Sequence, residues 1–431
     1  MLAQPIKTLR THENEIVRRI NLLVLAAFSL LLWVDTVTGA AQWLGLPLTV
    51  FSVLFKMPLI ALMLLMLGAF RPSILIGFLA VIVILMIGPT LQFLERPKPS
   101  FLFNDISLTL KILTPLITFF YCRLMIKLYS DVAGRLIIRA LWINLAAIIF
   151  NLSAGVAGLG YPSYAPAGGG QAIGINGFYV AGNELGACFV LLYGFALHYS
   201  WNRTFKMYLI MALAAVVSGL LIATKTAMLS SFLLIFAIPL FNERENLTKL
   251  TSLKIKVFIP MLVALIAVVV FISQLLQAVG LYEKFVWIVQ EKGVLTLILS
   301  GRDEFARLVL DGFQLMASTF NYFFGIGTSG ISEIYSVKYK AEIDPIDIFV
   351  VFGMVGLIVC AVSLVAMNIE AFRKIRTPHF FAPAIVAVNL VFVVLIFVSG
   401  HILYSGMLGM LWGMLNSLAF IHRTQEDINH A

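Results

Sequence analysis

Charge is what this chain has least of. Asp, Glu, Lys and Arg make up only 12% of the 431 residues, where a soluble domain carries about one quarter. That scarcity leaves no stretch for a soluble domain of ordinary size. Cysteine is nearly missing too. Cys122, Cys188 and Cys360 fall inside apolar segments, with no metal-ligand spacing and no disulfide framework, so they read as apolar fillers. The six histidines build no metal set: His12, His198, His379, His422 and His430 fall at one side or at the termini, and His401 stands alone. No Walker loop and no dinucleotide fingerprint is present, so neither ATP nor NAD is expected, and neither metal nor other cofactor. Met1 to Arg19 lacks an apolar core followed by a small-residue cleavage site, so no cleavable signal is expected. No internal repeat of the inverted-topology kind is visible.

What the chain has is apolar length. Hydrophobic residues reach 61% and mean hydropathy is +0.99. Uncharged runs recur, each near the ~20 residues that span a bilayer. They predict an all-α, polytopic membrane protein, a single integral domain over residues 1–431. Twelve spans are predicted, near 20–38, 47–69, 72–94, 107–126, 136–156, 178–199, 205–223, 226–241, 257–279, 346–367, 382–399 and 402–420.

The net charge of +9 then reports topology rather than nucleic-acid binding. One set of loops holds Arg10, Arg18, Arg19, Arg71, Arg123, Lys127, Arg135, Arg139, Arg203 and Lys206, with more at 244–256 and 373–376. The short loops of the other set hold only Arg96, Lys98 and Lys225. The positive-inside rule places both termini in the cytoplasm. Two longer segments then face outward. Gly155–Gly177 carries Gly168, Gly169 and Gly170 with Pro162 and Pro166, and is expected to be flexible. Leu281–Pro345, between spans nine and ten, is the long loop where charge gathers.

Candidate functional residues concentrate in and around that loop. Ser300-Gly301-Arg302-Asp303 reads as a helix start with Ser300 as N-cap and Asp303 at N3. Phe305, Leu308, Val309, Gly312, Leu315 and Met316 then form an apolar stripe, so an amphipathic helix is expected on the outer membrane face. Arg302 in its first turn adds charge to free backbone donors, which makes an anion site. The plainer role is pairing with Asp303, Glu304 or a lipid phosphate. Arg307, on the same predicted helix, joins the binding set.

Glu342, Asp344 and Asp347 precede or open the tenth span. Asp344-Pro345-Ile346-Asp347 is a helix N-terminus with an Asp cap and Pro at the first position, which explains both aspartates structurally. Glu342 lies outside the cap and is the preferred general base, with Asp344 the other candidate. Asn183 and Glu184 fall in the first turns of the sixth span, where a carboxylate needs a partner. Lys225, at the outward turn before the eighth span, either pairs with Glu184, binds an anion or simply reaches the interface. Asp35, Lys56 and Lys111 are expected to serve in structural pairing, Lys56 answering Asp35.

At these residues the chain resembles the bacterial O-antigen ligase and Wzy-type oligosaccharide repeat-unit polymerase superfamily. Four segments carry the likeness over about the whole chain: Gly177-Phe178-Tyr179 through Gly182-Asn183-Glu184-Leu185, Thr224-Lys225-Thr226, Ser300-Gly301-Arg302, and Gly325-Ile326-Gly327 through Gly353-Met354-Val355-Gly356. The resemblance implies a metal-independent GT-C-type glycosyltransferase of the bacterial inner membrane. Its donor would be a glycan on undecaprenyl pyrophosphate, and its partners membrane lipids and a chain-length co-polymerase. Ligases of this kind carry a histidine before the Gly-x-x-Gly helix. Glu342 takes that place here, which favours a polymerase over a ligase acting on lipid A-core or protein. A transporter or flippase for lipid-linked glycan is the alternative from another class. It is disfavoured because the suspicious charges gather at one face rather than at the midplane.

Overall fold

The computed structural model describes residues 15–421 apart from 165–172, 247–248, 257–258, 261, 264–265, 267–269, 271–273, 275–276, 278–281 and 335–339. The predicted ninth span falls mostly outside the described residues. So do the Gly168–Gly170 run and His12, His422 and His430. Among the described residues the protein is helical, with isolated β-bridges at Tyr161–Gly177 and Tyr164–Ile173. Among the described residues seven helices are long and apolar enough to cross a membrane, so this is a multi-pass membrane protein.

The helices run in chain order. α1 is Glu15–Trp43, passing through a 3-10 turn at Phe28–Leu30. α2 is Phe51–Phe70, α3 Pro72–Glu95 and α4 Pro99–Val156. α5 is Gly182–Trp201, α6 Phe205–Ile222 and α7 Lys225–Asn242. The long loop contains α8 (Tyr282–Glu291), α9 (Gly293–Leu299), α10 (Arg302–Met316), α11 (Thr319–Phe324) and α12 (Gly327–Ile334). α13 is Asp344–Lys374, α14 Ala382–Val398 and α15 Leu408–Ser417.

α4 is two helices in one run. Its 58 residues contain one non-helical residue, Ser130, at φ 42°. The Phe28 ring meets the Tyr121 ring at 6.3 Å, while the Phe28 carbonyl accepts from Asn144 at 2.8 Å. In a straight helix Tyr121 and Asn144 would stand ~35 Å apart. The chain therefore doubles back at Ser130, and the two halves hold the predicted fourth and fifth spans. Buried asparagines fasten α1 to the second half. Asn144 Oδ1 accepts from Leu32 N at 2.8 Å, and Asn151 Nδ2 donates to the Thr36 hydroxyl at 2.7 Å. In an apolar interior such satisfied amides fix register better than more leucine would.

The two glycine motifs at the end of the long loop explain each other. α13 breaks at Gly353, whose φ 66° and ψ −161° suit essentially only glycine. A Cβ there would lie 2.3 Å from the Phe323 carbonyl group. A Cβ on Gly325 would lie 2.1 Å from the Val351 carbonyl oxygen, and Ile326 N donates to the Val350 carbonyl at 2.9 Å. α11 and the start of α12 thus pack backbone to backbone against the broken first part of α13. Buried Asp105 of α4 caps α12 from outside, accepting from Thr328 N at 2.9 Å.

Three local expectations are corrected. The predicted span 402–420 becomes helical only at Leu408, because residues 399–407 form an irregular loop of turns with Gly400 and His401 at positive φ. α10 starts one residue later than expected. Its N-cap is Gly301, Ser300 sits in the left-handed region, and the Asp303 carboxylate accepts from Thr296 Oγ1 at 2.5 Å. Its buried stripe is Ala306, Val309, Gly312 and Phe313, while Leu308 and Leu315 are exposed. The cause is Phe313, whose ring is gripped by Tyr322 and Phe349 at 5.2 and 5.3 Å and turns the helix.

Candidate functional site

The polar residues singled out above converge on the loop 399–407, between α14 and α15. Arg302 Nη1 donates to the Val398 carbonyl at 2.8 Å. Asp344 accepts from three successive backbone N–H groups, those of His401, Ile402 and Leu403, the last two at 2.8 Å. Asp347 accepts from the Tyr404 hydroxyl at 2.7 Å. Glu184 accepts from Ser405 Oγ at 2.6 Å and Met407 N at 3.0 Å. Lys56 donates to the Gly406 carbonyl at 3.1 Å. Charges from α2, α5, α10 and α13 thus hold one irregular segment of backbone. Irregular backbone at the end of a membrane helix needs such partners, because no water replaces its lost hydrogen bonds there.

Within this frame the candidates separate by exposure. Asp344 is fully buried, and both its carboxylate oxygens are engaged by the loop. It does not cap α13, whose N-cap is Ile343 with no side-chain hydrogen bond. Its role is to fasten the loop, and nothing leaves it an oxygen for a substrate proton. Asp347 holds the strand before its own helix, accepting from Ala341 N at 2.7 Å and Glu342 N at 3.1 Å. Glu342 itself stays partly exposed and lies at φ 59°, a conformation uncommon for a side-chain-bearing residue and imposed here by the Asp347 clasp. It therefore does have a local structural setting, contrary to the sequence reading. Its carboxylate faces Arg302, Oε2 to Nε, at 3.4 Å, a long contact.

The remaining candidates fall unevenly. Lys225 donates to the Leu297 carbonyl at 2.5 Å and lies within electrostatic reach of Arg302. Thr224 before it is the N-cap of α7, accepting from Ala227 N at 3.2 Å. The expected Glu184–Lys225 pair is not formed, since each side chain is committed elsewhere. Asn183 is partly exposed beside Glu184, with no side-chain hydrogen bond among the described residues. Arg307 is exposed on α10. Five residues of helix turn it ~140° from Arg302, so it does not join the cluster. Lys56 does answer Asp35, at 2.7 Å.

Sequence reasoning missed two members. His401, read as solitary, lies at the centre, with its ring 5.5 Å from the Tyr404 ring and Glu184, Glu342, Lys340 and Arg302 as its electrostatic neighbours. Burial pushes its pKa below the ordinary 6.5, which favours the neutral imidazole. Lys340 places its ammonium 5.3 Å from the Tyr404 ring centroid, where burial lowers its pKa and Asp347 opposes that effect. Only the Lys-x-Glu spacing before α13 could have pointed to Lys340. Among the described residues no three His, Cys, Asp or Glu side chains converge to hold a metal ion.

Taken together, Arg302, Lys225 and Lys340 present cations beside one accessible carboxylate and one neutral imidazole. Such a set can hold an anionic leaving group and remove a proton from a hydroxyl. Compared with known proteins, the sequence matches no family model, and no curated protein matches it significantly.

Proposed function

We propose that this protein is an oligosaccharide repeat-unit polymerase, a GT-C-type glycosyltransferase with twelve spans in the bacterial inner membrane and both termini in the cytoplasm. The observation that carries the reading is the partly exposed Glu342 carboxylate set against Arg302 at the loop 399–407. The charge bias of the loops supports an outward position for that end.

In this reading the donor is a glycan on undecaprenyl pyrophosphate, with Arg302 and Lys225 on the pyrophosphate. The long Arg302–Glu342 contact is easily exchanged for a bidentate phosphate contact, which loosens the hold of Arg302 on the carboxylate. Glu342 takes the proton of the acceptor hydroxyl as its oxygen attacks the donor anomeric carbon. The bond from that carbon to the pyrophosphate oxygen breaks, its electron pair stays on the phosphate, and the cations stabilise the charge. Neutral His401 stands beside Glu342 as a relay for the proton.

The test is elongation of lipid-linked glycan by purified protein in detergent, where transport has no meaning. Arg302→Ala should abolish elongation with membrane insertion intact, and Arg302→Lys should restore part of it, lacking the planar fork. Glu342→Gln keeps the backbone shape and should lower turnover by roughly 10²–10⁴-fold. Absence of elongation by the unaltered protein would sink the reading, and full activity in Arg302→Ala or Glu342→Gln would remove that residue from the mechanism.

A further inference from the structure

A cavity of about 360 Å³ lies between α1, α2, the first half of α4, α5 and the start of α15. It falls in the ~300–1,000 Å³ range of small-molecule sites. Most of its wall has no place in the chemistry above. Asp35, Ser52, Lys56, Ser107 and Lys111 line it with Phe178, and Glu184 forms the border it shares with the loop 399–407.

The lining is built but not closed on itself. Asp35 accepts from Ser52 Oγ at 2.5 Å and from Lys56 at 2.7 Å, so that corner is satisfied. Lys111 is not. Its side chain is partly buried in a membrane helix, and among the described residues it has neither ion pair nor hydrogen bond. An ammonium so placed is costly without a partner. Glu184 spends Oε2 on Ser405 and Met407, and its Oε1 accepts from nothing among the described residues. A strong donor and a strong acceptor therefore both lack partners at one cavity wall.

Charge identifies the ligand class. Asp35 and Glu184 balance Lys56 and Lys111, so the cavity is neutral overall while rich in charged hydrogen-bonding groups. The Arg302 cluster, by contrast, is cationic. A neutral lining of this kind favours a neutral polyhydroxylated molecule, whose hydroxyls both donate and accept. Phe178, Met57, Met407 and Met410 add apolar surface for the C–H face of a sugar ring. Phe178 is held in place by its N–H donating to Asn151 Oδ1 at 2.9 Å and by Gly39, where α1 passes so close that no Cβ would fit. The cavity also adjoins the proposed reaction centre. Lys340 is within electrostatic reach of Lys111 and Glu184 on one side and of Glu342 on the other.

We propose that this cavity binds the acceptor's terminal sugar, a neutral monosaccharide unit whose hydroxyls bond to Lys111 and Glu184. The acceptor role rests on the polymerase reading, whereas sugar binding does not.

The experiment uses the full chain carrying Ser107→Cys, in detergent. Cys122, Cys188 and Cys360 are buried and give little background. A charged, membrane-impermeant thiol reagent is applied with and without the delipidated repeat-unit oligosaccharide, released by mild acid from the source cells' lipid-linked donor. Saturating oligosaccharide should slow labelling about tenfold or more. Lys111→Met should raise the concentration needed by about 10- to 100-fold, the worth of a hydrogen bond to a charged group, and Lys111→Arg should not. Absence of labelling without sugar, or labelling undiminished by sugar, would overturn the proposal. So would equal protection in Lys111→Met. The elongation assay separates the two claims. Protection in a protein that elongates no lipid-linked glycan leaves a sugar site without a polymerase, and elongation by a protein that the oligosaccharide does not protect leaves the reverse.

Discussion

Asp344 and Glu342 are two residues apart and carry the same functional group, yet their surroundings give them opposite tasks. Asp344 accepts from three backbone N–H groups on a loop some 57–59 positions away. Replacing it with asparagine turns one acceptor into a donor that faces those N–H groups. Asp344→Asn should therefore cost about 1–3 kcal/mol, the penalty for an unsatisfied buried group. Read as a simple helix cap, the same change would have been harmless. Thermal unfolding in detergent, followed by size exclusion, distinguishes the two. Glu342→Gln, with its partly exposed side chain, should leave that transition unmoved while turnover falls. His401 adds a pH signature. Its folded pKa lies below 6.5, so the unfolded chain binds the proton more readily than the native one. The stability it contributes is complete above the unfolded value and declines as pH falls through that value toward the lowered one. His401→Gln should remove that part of the acid-side loss in the same unfolding assay.

At the scale of elements, the apolar runs were readable in sequence and the irregular segments were not. The break in α4 lay between two predicted spans because Lys127, Ser130, Asp131 and Arg135 interrupt the hydrophobic pattern there. Residues 402–407 were read as helix because Ile402, Leu403, Tyr404 and Met407 are apolar. What keeps them out of a helix is Asp344, Asp347, Glu184 and Lys56, all distant in sequence. His401 looked solitary for the same reason. The glycine pairs were visible as motifs, but their purpose, two backbones in contact, emerges only when α11 meets α13. Gly353→Ala should consequently lower the unfolding temperature strongly, since its Cβ would meet backbone that cannot yield. Gly77→Ala is the control. It lies inside α3 with nothing within 4 Å of a new Cβ, so a gain of about 0.5–1 kcal/mol from helix propensity is expected.

For the whole molecule, the distribution of charge decides which face meets which compartment. Arg302, Lys340, Glu342 and His401 gather at one end, and Arg123, Arg244 and Lys374 at the other, where Arg123 and Lys374 both lie against the Phe420 ring. Cysteines placed at exposed Asp311 and Thr377 report the two ends, the native cysteines being buried. An impermeant reagent on intact spheroplasts should label Asp311→Cys and spare Thr377→Cys. The opposite pattern would place the cluster in the cytoplasm, away from any lipid-linked glycan of the outer leaflet.

The doubling back of α4 also sets a timetable for biogenesis. α1 leaves the ribosome well before α4, yet its resting place is defined by residues made more than a hundred positions later: Leu32 by Asn144 and Thr36 by Asn151. The first half of α4 seats buried Asn21, whose oxygen accepts from Tyr121, but until the second half has been synthesised Leu32 and Thr36 lack their asparagine partners. α1 is therefore an early lodger in the translocon's vicinity and a late arrival in the finished bundle. A chain stalled near residue 130 would hold α1 at Asn21 but leave its Leu32–Thr36 turn without Asn144 and Asn151, a target for membrane quality control.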